Sequence, residues 1–115
     1  MPFAVVVLRL IDQFPLTASG KAGARQLARS ATSVGANYRA CCNARSRAEF
    51  VAKLGIVVEE AEESTYWLDV AIQTQLLPDG AVAAALIEAL ELRAIFAKSL
   101  GTARANLKSA RSTIK

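Results

Sequence analysis

The sequence contains no histidine, and its aromatic residues are limited to four phenylalanines, two tyrosines and one tryptophan in 115 positions. Histidine is the commonest general base and zinc ligand, and it is the usual activator of a serine or cysteine nucleophile. No glycine-rich loop has the spacing that holds a phosphate at the start of a helix. We therefore expect a protein that is not an enzyme and that binds no cofactor.

Cysteine is equally scarce, because Cys41 and Cys42 are the only two and they are adjacent. Neighbouring residues on a helix point about 100° apart, so this pair cannot form an ordinary disulfide framework. The pair also lacks the two-residue gap with which two thiols reach one metal or redox partner. Reduced thiols agree with a reducing compartment.

Long apolar runs are absent as well. No stretch approaches the roughly 18 apolar residues that a membrane-spanning helix requires. The apolar start, residues 1–8, lacks the basic region of a signal peptide. These features predict a cytoplasmic protein with no membrane segment.

The residues that are abundant favour helices. Hydrophobic residues make up 53% of the chain, while glycine and proline number only six and three. Apolar residues recur at helical spacing in four segments, at about residues 3–14, 22–43, 47–77 and 80–108, before a basic C-terminal tail at 102–115. We predict one all-α domain over residues 1–115, folded as an antiparallel up-and-down four-helix bundle. A dimer of helical hairpins is the competing topology.

Local signals mark the ends of these helices. Pro15 ends the first, and Thr17 or Ser19 is available to cap the second. Residues 46–49 (SRAE) form a capping box, in which the Ser46 and Glu49 side chains each accept from the other's backbone amide. Asp79 is the candidate cap for the fourth helix. Gly35 lies within the second helix, where a close helix crossing is its simplest explanation.

The charges are segregated along the chain. Residues 21–53 hold seven bases and one acid, residues 55–92 hold eight acids and no base, and residues 93–115 hold six bases and no acid. The basic blocks either pair with acids within the bundle or between subunits, or form a surface that binds phosphates. The mean hydropathy of +0.29 is high for so small a domain. It favours self-association.

Acidic residues cluster at Glu59, Glu60, Glu62 and Glu63. Helix-bundle carboxylates bind paired metals when histidines from partner helices complete the site, and this chain has none. Ion pairs with Arg25, Arg29 or Arg39 are the favoured interpretation.

The C-terminal bases recur at helical spacing. Two interpretations stay open: a stripe that neutralises nucleic-acid phosphates, or a solvated helix end. Few aromatic residues lie near these basic residues in the sequence. We therefore expect contacts to the nucleic-acid backbone rather than to the nucleobases. The candidate nucleic-acid contacts are Arg25, Arg29, Arg45, Arg47, Arg104, Lys108, Arg111 and Lys115.

Four short motifs carry a resemblance to a known family. They are residues 33–39 (SVGANYR), 45–50 (RSxxEF), 53–60 (KLxIVxEE) and 63–68 (ESxYWL), and the Phe14-Pro15 end of the first helix also fits. Together they resemble the 23S rRNA intervening-sequence protein family, also called S23 or four-helix bundle proteins. The family usually has a glutamate after the Asn-Tyr-Arg run, where this chain has Ala40.

The resemblance implies a bundle without catalytic activity that assembles into a ring-like homo-oligomer such as a pentamer. It also implies kinship with the accessory protein of diversity-generating retroelements, a basic bundle that binds nucleic acid and a reverse transcriptase. The family-motif and interface candidates are Asn37, Arg39, Glu60, Glu63, Tyr66 and Trp67. They form either a polar network with subunit contacts or a network within one chain.

Two functional hypotheses follow from these features. The first is an oligomeric accessory protein that binds the backbone of RNA or DNA through basic helix faces. The alternative is a protein-interaction scaffold, in which the charge blocks direct self-assembly and the docking of a partner protein.

Overall fold

The protein is a bundle of four helices joined by short connections. The structure, a computed structural model, describes residues 2–78 and 80–113. Its helices are α1 (Phe3–Ile11), α2 (Ala18–Cys42), α3 (Arg47–Gln73) and α4 (Ala81–Thr113). Helix α3 packs between α2 and α4, and α1 packs against α2 and α4. The predicted all-α four-helix bundle is confirmed.

The connection between α1 and α2 is shorter than the sequence predicted. Helix α1 ends at Ile11, so the predicted end at residue 14 is wrong. The backbone amides of Gln13 and Phe14 donate to the carbonyls three residues before them, which narrows the helix into a turn ahead of Pro15. Helix α2 then begins at residue 18 rather than 22, because the Thr17 side chain accepts from the Gly20 amide at 3.1 Å.

The capping box at the start of α3 forms with one difference. The Ser46 hydroxyl accepts from the Glu49 amide at 3.0 Å, as predicted. The Glu49 carboxylate accepts from the backbone amide of Arg45 at 3.2 Å, one residue before the expected Ser46. Both bonds satisfy amides at the helix start, so the connection between α2 and α3 is fixed by its own side chains.

The later helix ends also differ from the prediction. Helix α3 ends at Gln73 rather than residue 77, and Gln75 adopts a positive φ of 53° just beyond it. Helix α4 begins at Ala81, and the predicted cap Asp79 lies outside the described residues. The fourth helix continues to Thr113, so the basic segment predicted as a tail is helical over its described part.

The core has two parts with different numbers of helices. The first cluster includes Phe3, Val7 and Leu10 of α1, together with residues of α2, α3 and α4. The second cluster, built on Val34, Leu54 and Leu100, has no member from α1. With nine residues, α1 spans about 14 Å, whereas the 33 residues of α4 span about 50 Å. The bundle therefore contains four helices at one end and three at the other.

Other parts of the chain pack closely against two glycines of α2. A side chain at buried Gly20 would clash with the Pro15 carbonyl, and one at Gly23 would meet the Leu76 side chain at 3.3 Å. The expected close crossing at Gly35 is wrong, since nothing lies within 4 Å of the position its Cβ would take. Among the described residues, no helix is long and apolar enough to cross a membrane.

Candidate nucleic-acid interface

The three-helix end of the bundle gathers most of the basic residues. Because α3 and α4 are antiparallel neighbours, the start of α3 lies at the same end as the last turns of α4. We call the end formed by residues 39–53 and 98–111 the basic end. It contains one acid, Glu49, and eight bases: Arg39, Arg45, Arg47, Lys53, Lys98, Arg104, Lys108 and Arg111.

Five predicted nucleic-acid contacts lie in this region. Arg45 and Arg47 flank the N-cap of α3, and Arg104, Lys108 and Arg111 follow one another along α4. All five side chains are exposed. The ion pairs of the described part of the chain involve only Arg29 and Arg93, so the charges of these five are not neutralised within it.

A groove lies between the α2–α3 connection and α4. Its volume is about 750 Å³, and its lining includes Arg45, Arg47 and Phe50 on one side and Asn106 and Ser109 on the other. Apolar and thiol side chains also line it: Cys41, Cys42, Ala44, Val51, Ala103 and Ala110. A smaller hollow of about 380 Å³ shares Phe50, Ala103 and Asn106 with it and reaches Lys98.

The basic residues of α4 line a separate surface hollow. Arg104, Lys108 and Arg111 surround about 370 Å³ together with Leu107 and Ser112. The three bases stand at i, i+4 and i+7, so they occupy one face of the helix as the sequence predicted. Lys115, the fourth member of the predicted stripe, lies outside the described residues.

Arg29 has a different role from these exposed bases. Its guanidinium pairs with Glu60 at 2.9 Å and also with Glu63, which joins α2 to α3 near the middle of the bundle. The ion pair that the sequence favoured for the acidic cluster is thus present, with Arg29 rather than Arg25 or Arg39 as the partner. Because two carboxylates already neutralise Arg29, we do not count it among the candidate phosphate contacts.

The pair alters the titration of its members. The hydrogen bond from Arg29 lowers the pKa of Glu63, and a further bond from the Trp67 indole acts in the same direction. The same interaction with Glu63 raises the pKa of Arg29. Trp67 is half-buried against the first core cluster, so the network extends from the exposed arginine into the core.

The remaining family-motif candidates, Asn37, Arg39 and Tyr66, take no part in the ion pairs of the described chain. Asn37 donates its side-chain amide to the Ser33 carbonyl of its own helix at 2.9 Å. Arg39 is exposed at the basic end. Tyr66 is also exposed and stacks edge-on against Trp67, with ring centroids 5.0 Å apart. Arg25 lies on the four-helix half of α2, away from the basic end.

Two aromatic side chains near the bases were not anticipated. Phe50 is 37% exposed and lines both hollows between α3 and α4. Tyr38 is exposed next to the thiol of Cys42, and their hydrogen bond raises the pKa of Tyr38. Phe50 lies one turn after Arg47 on α3 and lines the groove with it, and Tyr38 precedes Arg39 in the chain, so aromatic side chains do lie near the basic residues of this end.

The two cysteines occupy different environments. Cys41 is buried in the second core cluster, and burial raises the pKa of its thiol. Cys42 is exposed and lines the groove. Among the described residues, no three cysteine, aspartate or glutamate side chains come together in a way that would hold a metal ion.

The model of the 23S rRNA-intervening sequence protein family matches residues 1–98. The chain belongs to this family. The match includes all four motifs on which the resemblance rested, together with the Arg29–Glu60–Glu63 network.

A solved structure agrees with the assignment. A protein of unknown function from the S23 ribosomal protein family of Bacteroides thetaiotaomicron shares 32% sequence identity, with a TM-score of 0.75. The similarity covers 85% of this chain and 91% of that one. None of the curated proteins is detectably similar to this chain.

The family match ends before the last turns of α4. Arg45 and Arg47 lie inside the matched range, whereas Arg104, Lys108 and Arg111 lie beyond residue 98. The basic end therefore combines a portion that the S23 family model includes with a portion that it does not. The assignment of Arg104, Lys108 and Arg111 to the candidate interface therefore depends on the structure of this chain alone.

Proposed function

We propose that this S23-family protein is a non-enzymatic, self-assembling bundle that binds the phosphate backbone of RNA or DNA at its basic end. The observation that carries the proposal is that Arg45, Arg47, Arg104, Lys108 and Arg111 are exposed at the same end of the bundle, none of them neutralised by an ion pair within the described chain. Bases in this state attract phosphates and release the counterions condensed around them. Eight bases and a single acid, Glu49, occupy the basic end, so this end of the described bundle is positively charged.

The lack of histidine supports a binding role rather than a catalytic one. The carboxylates best placed for chemistry, Glu60 and Glu63, are occupied by Arg29. A binding protein of this kind acts by holding a strand in place.

A titration against RNA across a salt series tests the proposal. The logarithm of the association constant should fall linearly with the logarithm of salt concentration, as it does when phosphates are neutralised. Replacing Arg104, Lys108 and Arg111 together by glutamine should make this slope shallower by about 2–3, since each lost phosphate contact removes roughly 0.7–0.9. Arg25→Gln is the matched control on the opposite half and should leave the slope unchanged.

Two results would contradict the proposal. One is an absence of binding at low salt, where the electrostatic attraction is strongest. The other is binding whose affinity does not depend on salt or on the three α4 bases.

A protein-interaction scaffold is the second candidate, and a separate observation favours it. Ile87, Leu90 and Ile95 on α4 are 59%, 40% and 58% exposed, although each is a large apolar side chain. Clustered apolar exposure of this kind marks a contact surface for another protein chain. A second copy of this chain is the occupant that we propose, which makes self-assembly compatible with either function.

A further inference from the structure

The groove beside Phe50 has features that phosphate binding does not require. Exposed arginines on a convex surface are sufficient to hold a nucleic-acid backbone. Here Arg45 and Arg47 instead border a concave space of about 750 Å³. This volume is within the range of pockets that enclose small organic ligands.

The lining is divided into a charged rim and an apolar floor. The guanidinium groups of Arg45 and Arg47 lie at the α2–α3 connection, and the Phe50 ring lies one turn into α3. Asn106 faces them from α4 and offers both hydrogen-bond donors and an acceptor. A ligand that fits must combine negative charge, a flat apolar surface and polar edges.

An unpaired nucleotide has this combination. Its phosphate matches the arginines, its base has a π-face that stacks on an aromatic ring, and its base edge bonds to amides. In a duplex the faces of the bases are covered by stacking, so only the backbone and the groove edges are available. A duplex would contact the rim of this groove without entering it.

We propose that the groove between the α2–α3 connection and α4 binds an unpaired nucleotide of a single strand, with the base stacked on Phe50 and the phosphate held by Arg45 and Arg47. This inference rests on the proposed nucleic-acid function and specifies it. The basic end discriminates by strandedness: duplex and single strand share the phosphate contacts, and the single strand gains the stacked base.

The test compares a fluorescently labelled single-stranded RNA with the duplex made from it, using anisotropy at one salt concentration. Phe50→Leu keeps an apolar side chain and removes the aromatic face. We expect it to weaken single-strand binding by about five- to 150-fold, the loss that follows from one unstacked base. Duplex affinity should change less than about twofold, since backbone contacts are retained.

Ile56→Ala is the matched control, because Ile56 lies on the same helix and is 38% exposed, against 37% for Phe50. It should change neither affinity. Phe50→Ala serves as a second variant, and thermal unfolding followed by circular dichroism reports whether each variant is folded. A loss confined to the single strand, in a folded Phe50 variant, supports the inference.

The exposed thiol of Cys42 provides a readout in the unmodified protein. Cys42 lines the groove, so a bound nucleotide should slow its alkylation by iodoacetamide. Saturating single strand should reduce the rate severalfold, whereas saturating duplex should leave it nearly unchanged.

The outcomes separate this inference from the proposed function. If both nucleic acids bind with salt dependence but Phe50→Leu weakens them equally or not at all, the nucleotide site is overturned and backbone binding stands. The nucleotide site is likewise overturned if saturating single-stranded RNA leaves the alkylation rate of Cys42 unchanged. If neither nucleic acid binds, the proposed function fails, and the nucleotide site fails with it.

Discussion

Ser30 of α2 and Ser64 of α3 are joined by a hydrogen bond of 3.0 Å between their Oγ atoms, and both side chains are completely buried. The Ser64 hydroxyl also lies 3.0 Å from the Glu60 carbonyl of its own helix. Two small polar residues thus face each other where α2 packs against α3. Their hydroxyls satisfy one another in a region with no access to water.

This arrangement predicts unequal effects of two similar substitutions. Ser64→Ala leaves the buried Ser30 hydroxyl without its partner, which should lower the free energy of unfolding by about 1–3 kcal/mol. Ser30→Ala leaves Ser64 its bond to the Glu60 carbonyl, so its cost should be about 1 kcal/mol or less. Urea unfolding of both variants measures the difference.

The double variant completes the comparison. Replacing both serines removes the unsatisfied hydroxyl, so the double variant should be more stable than the sum of the single effects implies. Strict additivity of the two changes would show that the hydroxyls do not interact.

Two glycines of α2 should respond to alanine in opposite directions. At Gly20 the new methyl group would clash with the Pro15 carbonyl, a backbone atom that cannot rotate away. We expect Gly20→Ala to destabilise the protein by about 1–3 kcal/mol or more. At Gly35 the methyl group meets nothing within 4 Å, so Gly35→Ala should stabilise the helix by about 0.5–1 kcal/mol.

Gly35→Ala is also the control for the general effect of alanine on helix propensity. Thermal unfolding of the two variants beside the parent protein measures both changes. Equal effects at the two positions would contradict the close approach of the chain at Gly20.

The carboxylate of Glu63 should contribute to the pH dependence of stability. Its pKa is lower in the folded protein than in the unfolded chain, chiefly because Arg29 donates to it. Its contribution is therefore fully present above the ordinary glutamate pKa and is lost as the pH falls through the lowered value. Melting temperatures measured from pH 6 down to pH 3 should fall less steeply in Glu63→Gln than in the parent protein.

Glu59→Gln is the control for this measurement, because Glu59 is exposed on the same helix and takes part in no ion pair within the described residues. It should leave the slope unchanged. A Glu63→Gln protein with the same slope as the parent would contradict the role of the Arg29 pair.

The helices were predictable because their signals are local. The apolar spacing and the Ser46–Glu49 capping box depend on residues three or four apart, and both appear in the fold. The end of α1 was missed because the periodic apolar pattern continues through Phe14 while the backbone narrows into a turn. Phe14 stays buried without being helical, so burial alone did not locate the helix end.

The candidate site was less predictable because it depends on distance in the fold. Arg47 and Arg104 are far apart in the sequence, and only antiparallel packing brings their helix ends together. The proximity of Phe50 to Arg47 is local, since one helical turn separates them, but the packing of α4 is what closes a groove beside them. In contrast, the sequence named Arg29 both as a phosphate contact and as a partner of the acidic cluster, and the packing of α2 on α3 selects its pair with Glu60.

The two thiols should differ strongly in reactivity despite being adjacent. Cys41 is buried with a raised pKa, and its thiol contacts the Phe50 carbonyl at 3.7 Å, whereas Cys42 is exposed. A thiol reacts as the thiolate and only when a reagent can reach it. In the native protein one thiol should react with iodoacetamide, and the second should react roughly a hundredfold more slowly or only on unfolding.

Mass spectrometry of partially alkylated protein identifies the site. Cys42→Ser should abolish the fast reaction, and Cys41→Ala should leave it intact. Rapid modification of Cys41 in the native protein would contradict its burial in the second core cluster.

The exposed apolar residues of α4 should govern self-association. Ile87 and Leu90 are one turn apart on the helix and lie on its outward side, so replacing both by glutamate removes apolar contact area without disturbing the core. If a second copy binds here, sedimentation velocity should show an oligomer for the parent protein and a monomer for the double variant. Thermal stability of the monomer's fold should change little, since exposed positions contribute little to packing.

Leu16→Glu is the matched control, because Leu16 is an exposed leucine in the turn before α2, outside the α4 face. It should preserve the oligomer. Charge reversal at Arg39, an exposed base without an ion pair in the described chain, distinguishes the two kinds of contact. An oligomer that survives the α4 change and dissociates with Arg39→Glu would place the contact on the charged surface, and the apolar face of α4 would then need a different partner.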